Sequence, residues 1–365
     1  MTVLAWPAFE SPTGNPYTRL LYERVEAHDV VVDDFTGGRA LRNGYDLWHL
    51  HWPDDFLSKP SPWSALFYVV AELILIFLAR QRGTKIVWTV HDLGPHESPH
   101  PWLEALFWPL FVPMVDGFIT LSEHARREAL ARFPHLRTLP GAVIPHGHYR
   151  PAYPVPASRA AARTEWELPE NAVVAAFVGR IRPYKNVDRL IQTFRKFESR
   201  DARLLVTGNP VNDGLASDLR AAAKGDNRIH LDLRFIPEEE ISSVLAAADL
   251  VVLPYDHIMH SGSALLSLSF HRPVLVPARG AMKELQSDVG PKWVFTYDPP
   301  LTPTDLETAF QTARAGDRPR EVSLAGRSWD TLADQTVRLY EQVLRPEEQS
   351  DNESPRPLSA NVPAS

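Results

Sequence analysis

Pro254-Tyr-Asp-His-Ile-Met-His-Ser-Gly-Ser-Ala-Leu-Leu-Ser-Leu-Ser-Phe-His-Arg-Pro-Val-Leu-Val-Pro277 decides the fold. It leaves an apolar strand over Leu250–Leu253 and crosses a polar loop. It opens a short apolar helix at Ser261-Gly262-Ser263 and reaches the next strand at Pro273. The first N–H groups of a helix have no partner inside it, and the helix dipole places partial positive charge there. A Ser-Gly-Ser start lets an anion approach closely. Alone, this is an ordinary capped helix. One unit upstream, however, Phe177-Val-Gly-Arg-Ile-Arg-Pro-Tyr-Lys-Asn186 places Arg180, Arg182 and Lys185 in a second turn from strand to helix. Three cations beside an anion-binding helix start suit a diphosphate: Arg grips two oxygens and Lys supplies a point charge.

Working outward, the chain alternates strand and helix. Strands are expected at Thr2–Trp6, Val30–Asp34, Leu47–Trp52, Lys85–Val90, Gly117–Leu121 and Ala142–Pro145. A second set is expected at Val173–Val178, Arg203–Thr207, Ile229–Leu233, Leu250–Leu253, Pro273–Val276 and Trp293–Thr296. Val187, Leu190, Ile191 and Phe194 form a helical stripe, and Pro237 with three glutamates starts another helix. Such alternation predicts parallel sheets with helices on both faces. The 365 residues are too many for one core. The α/β chain therefore divides into residues 1–150 and 151–325, two Rossmann-like doubly wound units joined at a Pro- and Ala-rich stretch. Ligands of open parallel sheets bind beyond the carboxyl ends of the strands, which puts the site in the cleft between the units.

Composition narrows the function. Hydrophobic residues make up 44% and charged residues 23%, as in soluble globular proteins. A net charge of −7 argues against nucleic acid as a partner. The absence of cysteine excludes disulfides and thiol chemistry and favours a reducing compartment. Val3-Leu-Ala-Trp6 follows no basic leader, so no signal peptide is expected. Residues 346–365, rich in Pro, Ser, Glu and Asn, are expected to be a disordered tail. Trp63–Ala79 and Trp102–Met114 are unusually apolar and aromatic. They read as a membrane-docking surface. A spanning helix is disfavoured because the first segment lies between two strands of one sheet.

Polar clusters follow the first set of strands: Thr13-Gly-Asn-Pro-Tyr17, His49-Leu-His-Trp-Pro-Asp-Asp55, His91-Asp-Leu-Gly-Pro-His-Glu97, Ser122-Glu-His124 and His146-Gly-His-Tyr-Arg150. Any one of these histidines is an ordinary structural residue. Five clusters at strand ends gather on one rim and make a polar site. With no His-Glu-x-x-His, Cys-x-x-Cys or Asp-x-Asp spacing, no metal is expected.

These motifs, in this order, resemble the GT-B glycosyltransferases. More narrowly, the chain resembles the GDP-mannose-dependent β-mannosyltransferases of bacterial exopolysaccharide assembly. The resemblance runs from Asn15-Pro-Tyr17 through His49-Leu-His-Trp-Pro53, His146-Gly-His-Tyr-Arg150, Ile181-Arg-Pro-Tyr-Lys185, Gly208-Asn-Pro210 and Leu253-Pro-Tyr255 to Trp293-Val-Phe295. It implies a cytoplasmic enzyme, peripheral at the inner membrane face. That enzyme would move a sugar from a sugar nucleotide to a polyprenyl-diphosphate-linked oligosaccharide, without a cofactor. By that resemblance Arg182 and Lys185, assisted by Arg180, hold the diphosphate, and Ser261, Gly262 and Ser263 cradle it. Tyr255 and Asp256 meet the base or ribose, and His91 meets the donor sugar. Asn15, Tyr17, His96, His146 and His148 lie on the acceptor side. The helix in 326–345 crosses back to the first unit.

The chain departs from the retaining members of the family at one place. Their two glutamates, eight residues apart, are matched here by Ile258 and Leu266. The retaining mechanism therefore has less support, and the narrower resemblance implies an inverting reaction, which needs a base on the acceptor side. The candidates are Asp54, Asp55, His51, Glu97 and His96, with Asp54 placed first because it directly follows the His-Trp-Pro turn. A different donor, such as UDP-glucose or UDP-glucuronate, and a silent scaffold of the same fold are the competing readings.

Overall fold

The computed structural model describes residues 1–10, 15–41, 44–94, 99–155, 158–256, 258–315 and 318–345. Twelve strands form two six-stranded sheets, and every pairing is parallel. In the first sheet these are β1 (Thr2–Trp6), β2 (Val31–Asp34), β3 (Leu47–Leu50), β4 (Lys85–Val90), β5 (Gly117–Thr120) and β6 (Gly141–Val143), in the order β2-β1-β3-β4-β5-β6. In the second they are β7 (Val173–Val178), β8 (Ala202–Thr207), β9 (Ile229–Asp232), β10 (Leu250–Val252), β11 (Val274–Pro277) and β12 (Val294–Tyr297), in the order β12-β11-β10-β7-β8-β9. These are the two parallel sheets expected from the alternating sequence.

Strand ends differ from the expected ones by one or two residues. β3 stops at Leu50, where His51 N–H donates to the Trp6 carbonyl and the chain turns out over the rim. The registers align those ends: Trp6 pairs with Leu50, Leu50 with Trp88, Val90 with Thr120, and Thr120 with Val143. His51, His91 and His146 therefore emerge on one rim. Across from it, β7 and β10 deliver Gly179 and Tyr255. Gly208 shows how tight the second rim is. Its φ is +146°, and a β-carbon there would sit 1.9 Å from the Gly179 carbonyl oxygen.

The Trp329–Leu344 helix leaves the second sheet's side and packs against the Tyr17–Val25 helix of the first. Trp329 Nε1–H donates to the His148 carbonyl at 2.7 Å. A β-carbon on Gly147 would meet the Trp329 ring at 2.5 Å, so only glycine lets that ring in. Further links between the sheets are Arg127 with Glu284 (3.3 Å) and Glu123 N–H donating to Glu284 (3.0 Å).

The Pro62–Gln81 helix starts on a Ser61 cap with Pro62 in its first turn. Ala65, Val69, Ile76 and Ala79 are buried against the first sheet. The opposite stripe, Trp63, Phe67, Val70, Ile74 and Phe77, is exposed, with Trp63 at 79%. Trp102, Leu106 and Leu110 of the adjoining Pro101–Phe111 helix are exposed as well. By length and composition the first of these helices is long and apolar enough to cross a membrane.

Candidate active site

One side of the cleft is built on two strand-to-helix turns that touch. The position of a β-carbon on Gly179 lies 3.3 Å from Ser263 Oγ, which brings the basic loop to the start of the Gly262–Ser269 helix. Ser261 caps that helix, its Oγ accepting from Ala264 N–H at 3.1 Å. A cavity of 120 Å³ opens here, lined by Lys185, Tyr255, His260, Ser261, Gly262 and Ser263 among others. Burial pushes the Lys185 ammonium down to about 8, and the neighbouring Arg182 and Arg180 push the same way. Its Nζ lies 5.6 Å from the Tyr255 ring. Among the described residues no carboxylate pairs with Arg180, Arg182 or Lys185, so the loop holds uncompensated positive charge facing a helix N-terminus. That arrangement suits a polyanion.

Asp256 follows Tyr255 at the mouth of this loop and is paired within the protein. Both its oxygens accept from Arg189 Nη1, at 2.6 and 2.8 Å, so this carboxylate braces the loop. Tyr255 is buried, and burial raises its phenol far above the ordinary range. Ile258 and Leu266 occupy the positions of the absent glutamates, and Leu266 is buried in the core.

The facing part of the cleft carries a group of neutral imidazoles. Burial lowers His91 well below 6.5, and holds His146 at about 4 and His260 at about 3. His146 and His260 lower His91 further, and His146 lowers His260. A neutral imidazole both donates and accepts, as a sugar hydroxyl does. His91 stacks on Trp52 at 4.3 Å, and the Tyr17 ring stands edge-on to His91 and near His146. Asn15 Oδ1 accepts from Tyr149 O–H at 3.2 Å, and Tyr149 is also hydrogen-bonded to His146. His146 and His260 line a second cavity of 530 Å³ between the sheets, together with Ser122, Met282 and Arg327. His148 sits apart. Its backbone is tied to Arg327 and Trp329, and Arg150 is its charged neighbour, so it belongs to the join between the sheets.

Asp54 ends the turn after β3 and is partly buried. Burial, then Asp55, Asp92 and Glu104, raise its carboxyl to about 7. Asp92, next to His91, is likewise raised to about 7 by burial. Asp92 was not among the sequence candidates; its signal is its place directly after His91 at the end of β4. Asp55, next along the turn, is exposed to solvent. His51 lies deeper than expected. It is 1% exposed, its Nε2 is 2.7 Å from Tyr22 Oη and its Nδ1 is 3.0 Å from His91 Nε2. With both nitrogens occupied, it stands behind His91 and cannot meet an acceptor directly. His96 and Glu97 lie outside the described residues. Among the described residues no group of His, Asp and Glu is arranged to hold a metal ion.

Comparison with known proteins follows the same division. A family model described as "Glycosyl transferases group 1" matches residues 172–311, within the unit that carries the basic loop. The chain is 30% identical over 345 residues to the GDP-mannose:glycolipid 4-beta-D-mannosyltransferase of Xanthomonas campestris pv. campestris, covering 94% of this chain and 93% of that one. It is 32% identical over 257 residues to the D-inositol 3-phosphate glycosyltransferase of Mycolicibacterium smegmatis, covering 67% of this chain and 54% of that one. Among solved structures, the sucrose-phosphate synthase of Thermosynechococcus elongatus aligns with a TM-score of 0.65 at 16% identity, over 94% of this chain and 95% of that one. Anabaena HepE in complex with UDP and glucose aligns with a TM-score of 0.63 at 18% identity, over 94% and 98%. At those identities the structural likeness speaks for the fold.

Proposed function

This chain belongs to the GT-B glycosyltransferases, and on that footing we propose that it transfers mannose from GDP-mannose to a lipid-linked oligosaccharide, with inversion to a β-linkage. The observation that carries the reading is the Arg180–Arg182–Lys185 loop, free of counter-charge among the described residues and set against the start of the Gly262–Ser269 helix. The 30% identical relative is named for this donor and a glycolipid acceptor.

In the proposed step an acceptor hydroxyl oxygen attacks the anomeric carbon. The bond from that carbon to the diphosphate oxygen breaks with its electron pair, and GDP leaves. Arg182, Lys185 and the helix N–H groups meet the charge that develops on it. Arg180 assists. Asp54 takes the acceptor proton, and a carboxyl near 7 is well matched to that task. His91 and His146 orient the sugars. The diphosphate charge is met by side chains, so the reaction needs no divalent ion. The exposed stripe of the Pro62–Gln81 helix, with Trp102, Leu106 and Leu110, rests on the inner face of the cell membrane, where the acceptor lipid lies.

The test is slow hydrolysis of GDP-mannose by the full chain in EDTA, followed by proton NMR. The expected first product is β-mannose. α-Mannose would replace inversion with retention. Turnover only after magnesium or manganese is restored would overturn the metal-free step.

A further inference from the structure

Behind the rim lies a hydrogen-bonded chain that an apolar core does not need. Thr89 Oγ1 is 2.7 Å from His49 Nε2. His49 Nδ1 is 2.8 Å from Tyr22 Oη and 2.6 Å from Tyr340 Oη. Tyr22 Oη is 2.7 Å from His51 Nε2, and His51 Nδ1 is 3.0 Å from His91 Nε2. All six residues are buried. They come from β3 and its exit, β4 and its exit, the Tyr17–Val25 helix and the Trp329–Leu344 helix. The surrounding strand positions, Leu47, Trp48, Leu50, Val87, Trp88 and Val90, are apolar. Apolar residues at 49, 22 and 340 would serve stability as well, since a buried polar network gains little net stability over an apolar core.

The chain has one outlet. Burial keeps His49 neutral, with its ring at about 3, and lowers His51 and His91 as well. Each ring therefore carries a single proton. If Tyr22 donates to His51 Nε2, His51 Nδ1–H donates to His91 Nε2, and His91 presents an N–H at Nδ1. With the polarity reversed, His91 Nε2–H donates to His51, His51 to Tyr22, Tyr22 to His49, and His49 to Thr89. His91 then presents a lone pair. In both settings the tautomer and ring angle of His91 are set by its partners behind the rim. Trp52, stacked on its face at 4.3 Å, restricts the ring from the other direction.

We infer that His51, Tyr22, His49, Thr89 and Tyr340 are positioning residues that hold His91 in one tautomer against the donor sugar, and that Tyr340 thereby ties the terminal helix to the reaction centre. This rests on the reading of His91 as a donor-sugar contact. None of the five touches substrate. Tyr22→Phe, Tyr340→Phe and Thr89→Val each remove a hydroxyl and keep the shape.

The experiment compares these variants, Thr89→Ser and His91→Ala in the full chain. GDP binding, thermal stability, GDP-mannose hydrolysis and histidine ¹⁵N chemical shifts are measured. Tyr22→Phe is expected to bind GDP like wild type and to melt within a few degrees of it. Its turnover should fall about tenfold, with His91 changing from one tautomer to a mixture. Thr89→Val should fall in the same direction, with Thr89→Ser restoring it. Wild-type turnover and an unchanged His91 signal in Tyr22→Phe and Tyr340→Phe would overturn the inference. Wild-type turnover in His91→Ala would instead remove the sugar contact itself, so the two failures are separable.

Discussion

Lys185 is the residue on which the donor site turns. Its ammonium is lowered to about 8 because it is buried beside Arg182 and Arg180. A diphosphate would reverse that cost. Lys185→Ala and Arg182→Ala each remove a charge-assisted contact worth roughly 1.5–3 kcal/mol. GDP affinity measured by calorimetry should therefore fall about tenfold to a hundredfold. Unchanged affinity in both would remove the phosphate site. Asp54 is the corresponding residue on the proposed acceptor side. Its carboxyl titrates near 7, so turnover should rise as pH passes upward through that value. Asp54→Asn should lower turnover about 10²–10⁴-fold and abolish that limb while leaving GDP binding intact. The sign for stability is fixed by the same shift. A carboxyl raised in the fold is neutral without cost below its unfolded value near 3.8, and the burial of its charge costs stability as pH rises through about 7. Asp54→Asn should therefore melt like wild type at pH 4 and higher than wild type at pH 8. An acid limb that survives Asp54→Asn and vanishes in Asp92→Asn would pass the role to Asp92. The basic loop was legible because its three charges share one short turn. The Arg189 brace on Asp256 was not, because the partners lie 67 positions apart.

At the scale of elements, the Pro62–Gln81 helix has two apolar faces with different duties. Val69 and Ile76 belong to the core, while Trp63, Phe67 and Phe77 face outward. Composition alone showed the greasiness; only packing separates the stripes. Glu72 illustrates the point. It lies on the buried face, both its oxygens lack a hydrogen-bond partner, and burial raises its carboxyl so that it stays neutral. Nothing in the spacing of the sequence reveals that. The turn carrying Asp54 rests on the start of this helix, with Phe56 stacked on Tyr68 at 5.1 Å. The proposed membrane face and the proposed base are thus parts of one packed unit. Replacing Trp63, Phe67 and Phe77 together by serine should leave the fold and GDP binding intact and lower binding to lipid vesicles at least about tenfold, because peripheral affinity scales with buried apolar area. Vesicle binding equal to wild type would assign this face elsewhere. Wild-type protein that stays in membranes through a carbonate wash would point to a spanning helix.

For the molecule as a whole, the two parallel sheets were readable from strand periodicity to within two residues at each end. Parallel strands buried on both faces are nearly continuous apolar runs, punctuated by polar turns. What periodicity cannot supply is the meeting of distant parts. His49 meets Tyr340 across 291 positions, and Trp329 fits against Gly147 in the join. These contacts make the cleft a single object, with the basic loop and His260 on one sheet and His91 and His146 on the other. The central claim is that the cleft binds a GDP-linked sugar through the Arg180–Lys185 loop. The most direct measurement is thermal melting of the full chain with a panel of GDP- and UDP-sugars, repeated on Lys185→Ala. GDP-mannose at a hundred times its dissociation constant is expected to stabilise the fold by about 2.7 kcal/mol, UDP-sugars are expected to give no such gain, and Lys185→Ala is expected to lose most of it. Stabilisation by a UDP-sugar with none from GDP-mannose would contradict the donor. A panel with no effect on either protein would contradict the site.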